Sequence, residues 1–134
     1  MGKKQRLTDY LSNGKIYVWR GTYAMVKAER PCRGAVAVIR DRREITCLIE
    51  EVGLKPRGLL AVDGGWKIIS FDMILPFGLV GFLSRISGAL AEAGISLCAF
   101  SAYTTDHILV KKGDLAVALS RLESLGFAVE KDER

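Results

Sequence analysis

Apolar and polar positions along this chain follow two different periods, and the changes of period mark its elements. Between residues 66 and 129 the apolar spacing runs from two to about 3.6 and back, twice over. Trp66 to Leu75 reads as a strand. Gly78 to Ala93 reads as a helix, with Leu79, Leu83, Ile86 and Leu90 on one face. Gly94 stops that helix. Ile95 to Tyr103 is a strand, Thr104-Thr105-Asp106 a tight turn, and His107 to Lys111 the return strand of a hairpin. Gly113-Asp114 opens the last helix, with Asp114 placed to cap its free N–H groups. Leu115, Leu119, Leu122 and Leu125 keep helical spacing, Gly126 ends the helix, and Phe127 to Glu130 is a final strand. The order βαββαβ predicts an α+β fold of the ferredoxin-like kind, a four-stranded antiparallel sheet with two helices on one face. Its other face, or its edge, needs covering.

The first half is less regular. Met1 to Arg6 reads as a flexible tail, and Leu7 to Leu11 as a short helical lead-in or nothing. Lys15 to Arg20 alternates like a strand, while Thr22 to Lys27 fits either an extended piece or a short helix. Arg30 to Gly34 is a loop. Ala35 to Arg40 reads as a buried strand with Glu44 to Glu50 as its hairpin partner. Val52 to Gly58 is a loop, and Leu59 to Val62 is extended. Asp63-Gly64-Gly65 is the strongest turn signal and the expected boundary between two halves. Strands of this half can cover or extend the sheet of the second.

Length and charge narrow the class. At 134 residues the chain is one compact domain or two very small ones. Its net charge of +5 is mild and partly sits at Lys3, Lys4, Arg6 and the 40–43 turn, not on a continuous basic face, which argues against nucleic acid. The apolar run Met73 to Ala93 is broken by Pro76, glycines, serines and Arg85, so no membrane span is expected. The N-terminus has no apolar stretch of the signal-peptide kind. Cys32, Cys47 and Cys98 are an odd, scattered set, which points to reduced, buried thiols and a cytoplasmic location.

The second half resembles an ACT domain, the small ligand-sensing module of amino-acid metabolism. The likeness rests on the strand Ile68 to Ile74, the glycine-bearing loop into a helix, the helix exit Leu90-Ala91-Glu92-Ala93-Gly94-Ile95, and Ser101 to Val110. That last segment looks like the S-x-x-x-T-D-Y-x-L-V signature of small proteins with two ACT-like halves, similar also to ACT segments of aspartate kinase and cytosolic arginine sensors. His107 stands where the signature has tyrosine. The acidic residue and Pro-Gly pair usual at the first helix are missing, with Pro76 earlier and Gly81 in the glycine's place. The resemblance implies a degenerate ACT-like half at 13–64 and an ACT domain at 65–134, preceded by the segment 1–12, expected to be flexible.

Chemistry follows the same division. The first turn of a helix leaves N–H groups unpaired and favours an anion. Gly78 and Gly81 would let a carboxylate approach the backbone. The resemblance implies a ligand site between two ACT units, with the loop Leu75, Pro76, Phe77, Gly78, Leu79, Val80 and Gly81 of one facing the strand Ile95, Ser96 and Leu97 of another; Ser101 and Asp106 belong to the signature. Competing structural roles are plain: the glycines can serve the turn alone, Asp106 can be a turn-making residue, Asp72 can face water, and His107 can be a packed histidine. No serine or cysteine is placed to pair with His107, no metal-ligand spacing or phosphate loop occurs, and the strands lack the stacking aromatics that RNA binding needs. The expected protein is a non-catalytic regulatory homodimer without cofactor or metal, binding a small amino acid or related carboxylate. The alternative is a ligand-free dimerisation module that regulates a partner.

Overall fold

The computed structural model describes residues 6–130. The expected tails at Met1 to Gln5 and Lys131 to Arg134 lie outside the described residues. The chain divides into two compact units, Gly21–Lys67 and a larger one made of residues up to Arg20 together with those from Ile68 onward. The expected halves, 13–64 and 65–134, divide the chain differently: residues 13–20 and their strand pack with the second half.

The larger unit contains the helix α1 (Leu7–Asn13), strand β1 (Lys15–Val18), the end of the long strand β5 (Leu59–Phe71), helix α2 (Phe82–Glu92), the hairpin β6 (Leu97–Ser101) and β7 (Asp106–Lys111), helix α3 (Leu115–Leu125) and the short strand β8 (Ala128–Val129). Its strands lie in the order β6-β7-β5-β1-β8. This is the ferredoxin-like arrangement with one addition. β1 is inserted between β5 and β8, antiparallel to β5 through Ile16↔Phe71 and parallel to β8 through Ile16↔Val129. The expected four-stranded antiparallel sheet is thus five-stranded with one parallel pair. Ile16, fully buried, explains why the strand is recruited: it joins Ile69, Phe71, Ile108 and Val110 on the face that the helices cover.

The helical layer closes that face. Phe82, Ile86 and Leu90 form the buried stripe of α2, and Ala118 and Leu122 that of α3. The expected stripe is corrected here. Leu79 precedes the helix and Leu83 is 37% exposed, because α2 begins at Phe82 and not at Gly78. Gly81 takes φ +91° at its start. Of the two readings of Leu7 to Leu11, the helical lead-in is the one found, as α1, within the 1–12 segment expected to be flexible. The Arg6 N–H donates to the Asp9 carboxylate at 3.0 Å, and Leu11 is buried in the same core. Phe71 makes edge-on contacts with Phe82 and Phe127 at ring distances of 5.1 and 5.3 Å. Asp114 stands at the N-cap of α3 without a side-chain cap bond, since a 3-10 turn, Lys112–Asp114, leads into the helix with Asp114 already near helical geometry.

The smaller unit holds β2 (Tyr23–Ala28), β3 (Ala37–Arg40), β4 (Ile45–Glu50) and the first part of β5, in the order β3-β4-β2-β5. Residues 21–67 contain one short 3-10 turn, Glu51–Gly53, and no α-helix. Ala24, Val26, Ala28, Cys47 and Ile49 form its core, covered by Cys32, Ala35, Leu54 and Leu59. Two expectations fail here. Val38 and Ile39 on β3 are 44% and 53% exposed, because β3 is an edge strand paired to β4. Asp63-Gly64-Gly65 is no turn. The register passes from Tyr23↔Trp66 to Met25↔Asp63, so β5 carries one extra residue, and Gly65 at φ +80° makes a β-bulge inside a continuous strand. β5 then ends at Phe71, which leaves Asp72 outside the strand and exposed.

All three cysteines are thiols. Cys47 is buried, but Cys98 is only partly so, as is Cys32. Among the described residues, no helix is long and apolar enough to cross a membrane.

Candidate functional site

The segment from Asp72 to Gly81 connects β5 to α2 and is held against the tip of the β6–β7 hairpin. The Leu75 N–H donates to the Thr104 carbonyl at 2.6 Å, and the Thr105 hydroxyl donates to the Phe71 carbonyl at 2.7 Å. The Ala102 N–H donates to the Thr105 carbonyl and closes the tip. Within the loop the Leu79 N–H donates to the Pro76 carbonyl, and Gly81 then turns the chain into α2 with a left-handed backbone that a side chain would strain. Among the described residues no side chain caps the start of α2, whose first N–H groups and dipole suit an anion.

Between loop and hairpin lies a cavity of about 190 Å³. Leu75, Pro76, Phe77 and Leu79 from the loop and Ser101 and Asp106 from the hairpin line it, joined by Phe82, Ala102, Tyr103 and Thr105. Six nominated residues therefore come together. Gly78, Val80 and Gly81 shape the loop but do not line the cavity. Ile95, Ser96 and Leu97 are not part of it: Ile95 is buried in the core, Leu97 packs against that core, and Ser96 is exposed at the far end of β6 from Ser101. Tyr103 was legible only as the end of a strand and Thr105 only as part of a turn. What brings them to the site is the hairpin register, Ser101↔Asp106, which no local spacing specifies.

The polar chemistry is compact. The Ser101 hydroxyl donates to Asp106 Oδ1 at 2.5 Å and holds the carboxylate at the cavity wall. Phe77 and Tyr103 meet edge-on with ring centres 5.2 Å apart, and they are 79% and 81% exposed. A carboxylate acceptor beside an apolar wall, near an uncapped helix start, can take the two ends of a zwitterion.

His107 lies on the opposite sheet face. Its Nδ1 is 2.6 Å from the Ser70 hydroxyl, which accepts from Trp19 Nε1 at 2.7 Å, and its ring stacks on Phe100 at 4.9 Å. Burial lowers its pKa, and neighbouring Asp106 opposes that only in part. A neutral ring whose Nδ1 accepts the Ser70 proton fits the bond that Ser70 accepts from Trp19. The sequence offered no serine partner for His107, and the fold supplies one across 37 residues. Yet Ser70 is 1% exposed, so its hydroxyl cannot reach a substrate, and the pair is a packed network.

Residues 61–124 match the family model of the ACT domain. No curated protein matches the sequence significantly. Among solved structures, a protein from Agrobacterium tumefaciens superposes with a TM-score of 0.77 at 22% identity, covering 90% of this chain and 95% of that one. A Vibrio cholerae protein of unknown function, described as a possible transport protein, gives 0.72 at 23% identity over 87% and 92%. A putative C-terminal regulatory domain of aspartate kinase from Porphyromonas gingivalis gives 0.60 at 19% identity over 87% and 99%. At these identities the shared property is the fold, which extends over both units.

Proposed function

We propose that this chain is a non-catalytic regulatory ACT protein that binds a small amino acid or related carboxylate in the cavity between the 75–81 loop and the hairpin tip. The observation that carries the reading is the Asp106 carboxylate, fixed by Ser101 in the wall of a cavity beside the uncapped start of α2. The ammonium group goes to Asp106 and the carboxylate toward the helix N-terminus. At about 190 Å³ the cavity is smaller than typical enclosed sites. A second copy of the chain closes it, in a cytoplasmic homodimer, with no cofactor, metal, nucleic acid or membrane involved. The regulatory domain and subunit of aspartate kinases with the same fold support a regulatory role. Regulation follows only if the ligand favours one arrangement of its units over another.

The test is a thermal-shift screen against the twenty amino acids, followed by calorimetry on any hit. Binding to the folded chain alone raises the unfolding temperature with ligand concentration. Asp106→Asn keeps the shape but loses the charge, and affinity is expected to fall about tenfold or more. A hit that Asp106→Asn leaves unchanged places the ligand elsewhere. The absence of any hit favours a second reading, a ligand-free dimerisation module, which the exposed Val38 and Ile39 on the edge strand β3 support. Ile39→Lys would then dissociate the dimer in analytical ultracentrifugation.

A further inference from the structure

The smaller unit covers its core face with two loops, residues 29–36 and 51–58, where the larger unit uses helices. Loops do not close that space. A cleft of about 520 Å³ opens between them, well over twice the volume at the hairpin tip and within the range of roughly 300–1,000 Å³ typical of small-molecule sites. Its walls are tied down. The Glu29 N–H donates to the Gly58 carbonyl at 3.0 Å and joins the two loops, and the Cys32 N–H donates to the Cys47 sulfur at 3.2 Å. The cleft is therefore formed before any ligand arrives.

Its lining is lopsided in charge. Arg30, Arg33, Lys55 and Arg57 meet a single carboxylate, Glu29. Burial and the Cys47 thiol push the Cys32 thiol up to about 11, so it stays protonated at neutral pH and adds no negative charge. Deeper in, Ala28, Ile49 and Leu59 offer apolar surface from three neighbouring strands. Cations over low-dielectric walls concentrate positive potential in a concave space. Guanidinium forks match the oxygens of a phosphate, and the apolar floor suits a flat ring.

We propose that this cleft is a second ligand site, for a phosphate ester of mononucleotide size whose phosphate meets the arginines and whose base lies on the apolar floor. It is independent of the amino-acid site proposed above, and neither stands or falls with the other.

The experiment is calorimetry on the full chain with adenosine 5′-monophosphate, inorganic phosphate and adenosine, each at low and moderate salt. Expected is binding of the nucleotide, tighter than of phosphate or nucleoside alone and weakened by salt. Arg57→Gln and Arg30→Gln are each expected to weaken it about tenfold, the worth of one charge-assisted hydrogen bond. Both side chains are exposed, so the variants should fold, with circular dichroism as the check and Lys55→Gln as a further variant. Asp106→Asn should leave nucleotide binding unchanged. The proposal is overturned if millimolar nucleotide gives neither heat nor shifts of the Arg57 and Gly58 amide resonances, if inorganic phosphate binds as tightly, or if the arginine variants bind normally. It is also overturned if a single-stranded oligonucleotide binds far tighter through the same residues, since the surface would then be a nucleic-acid interface.

Discussion

The two units bury their sheets by different means. The larger lays three helices over one face and closes a core around Phe71, Phe82 and Phe127. The smaller gathers Ala24, Val26, Ala28, Cys47 and Ile49 into a core under loops held by a few backbone bonds. Rows of helical side chains interlock with a sheet and leave no space. Loops must keep their own polar backbone groups near water, so they bridge a face without filling it. The difference assigns stability chiefly to the first unit and cavity volume to the second.

Core truncation is the strongest test of that assignment. Phe71→Ala should cost about 3–5 kcal/mol, because a fully buried ring with two aromatic neighbours is removed from a layer that cannot collapse. Val26→Ala in the smaller unit should cost about 2 kcal/mol. Urea unfolding gives both values. Equal losses would mean that the loop-covered core is packed as tightly as the helical one.

Glycine substitution sharpens the contrast at a lower energy. Gly126 has φ +119°, and a Cβ there would lie 2.7 Å from the Leu11 carbonyl oxygen and 2.8 Å from Ser12 Cα, both backbone atoms. Gly126→Ala should cost roughly 2–3 kcal/mol from strain and clash together. Gly58 has φ +79°, and a Cβ there would meet nothing within 4 Å, so Gly58→Ala should cost about 1 kcal/mol from backbone strain alone. Thermal unfolding of the two variants separates packing from conformation. A Gly126→Ala loss no larger than that of Gly58→Ala would show that α1 yields easily at its C-terminal end.

The same contrast explains what could be read in the sequence. Helices α2 and α3 and the β6–β7 hairpin were legible because their periods are local. The start of α2 was misplaced by four residues, since Gly78 and Leu79 continue the apolar spacing while the αL turn at Gly81 breaks the helix. The insertion of β1 beside β8 was not legible, because a parallel pair across more than a hundred residues leaves no short-range mark. The bulge at Gly65 imitated a turn, for the same glycine freedom serves both. At the candidate site, Ser101 and Asp106 were read from the signature, while Tyr103 and the basic cleft were not. Arg30 and Arg33 lie more than twenty residues from Lys55 and Arg57, and only the pairing of β2 with β5 brings their loops together.

Acid titration should distinguish the units by a smaller effect. His107, in the larger unit, is the chain's one histidine. Burial lowers its folded pKa, so the unfolded chain takes up the proton first. Stability should be level above pH about 6.5, the unfolded value, and fall as pH drops from there through the lowered folded value. His107→Gln should flatten that stretch of the curve. A slope that survives the substitution would have to come from carboxylates titrating unusually high.

The smallest effect on stability is expected at Phe77, and there the contrast between stability and function is greatest. Phe77 and Tyr103 touch each other and little else, with most of both rings in solvent. Phe77→Ala should therefore change folding stability by no more than about 1 kcal/mol, the worth of one aromatic contact. If the loop cavity holds an amino acid, removing this wall exposes the ligand to water, and affinity should fall about tenfold while the unfolding midpoint hardly moves. Calorimetry and urea unfolding on the one variant give the two numbers. A large stability loss would make the aromatic pair a structural clasp that keeps the loop on the hairpin. Unchanged affinity with unchanged stability would remove the pair from the binding wall and leave Asp106 and the start of α2 to hold the ligand without it.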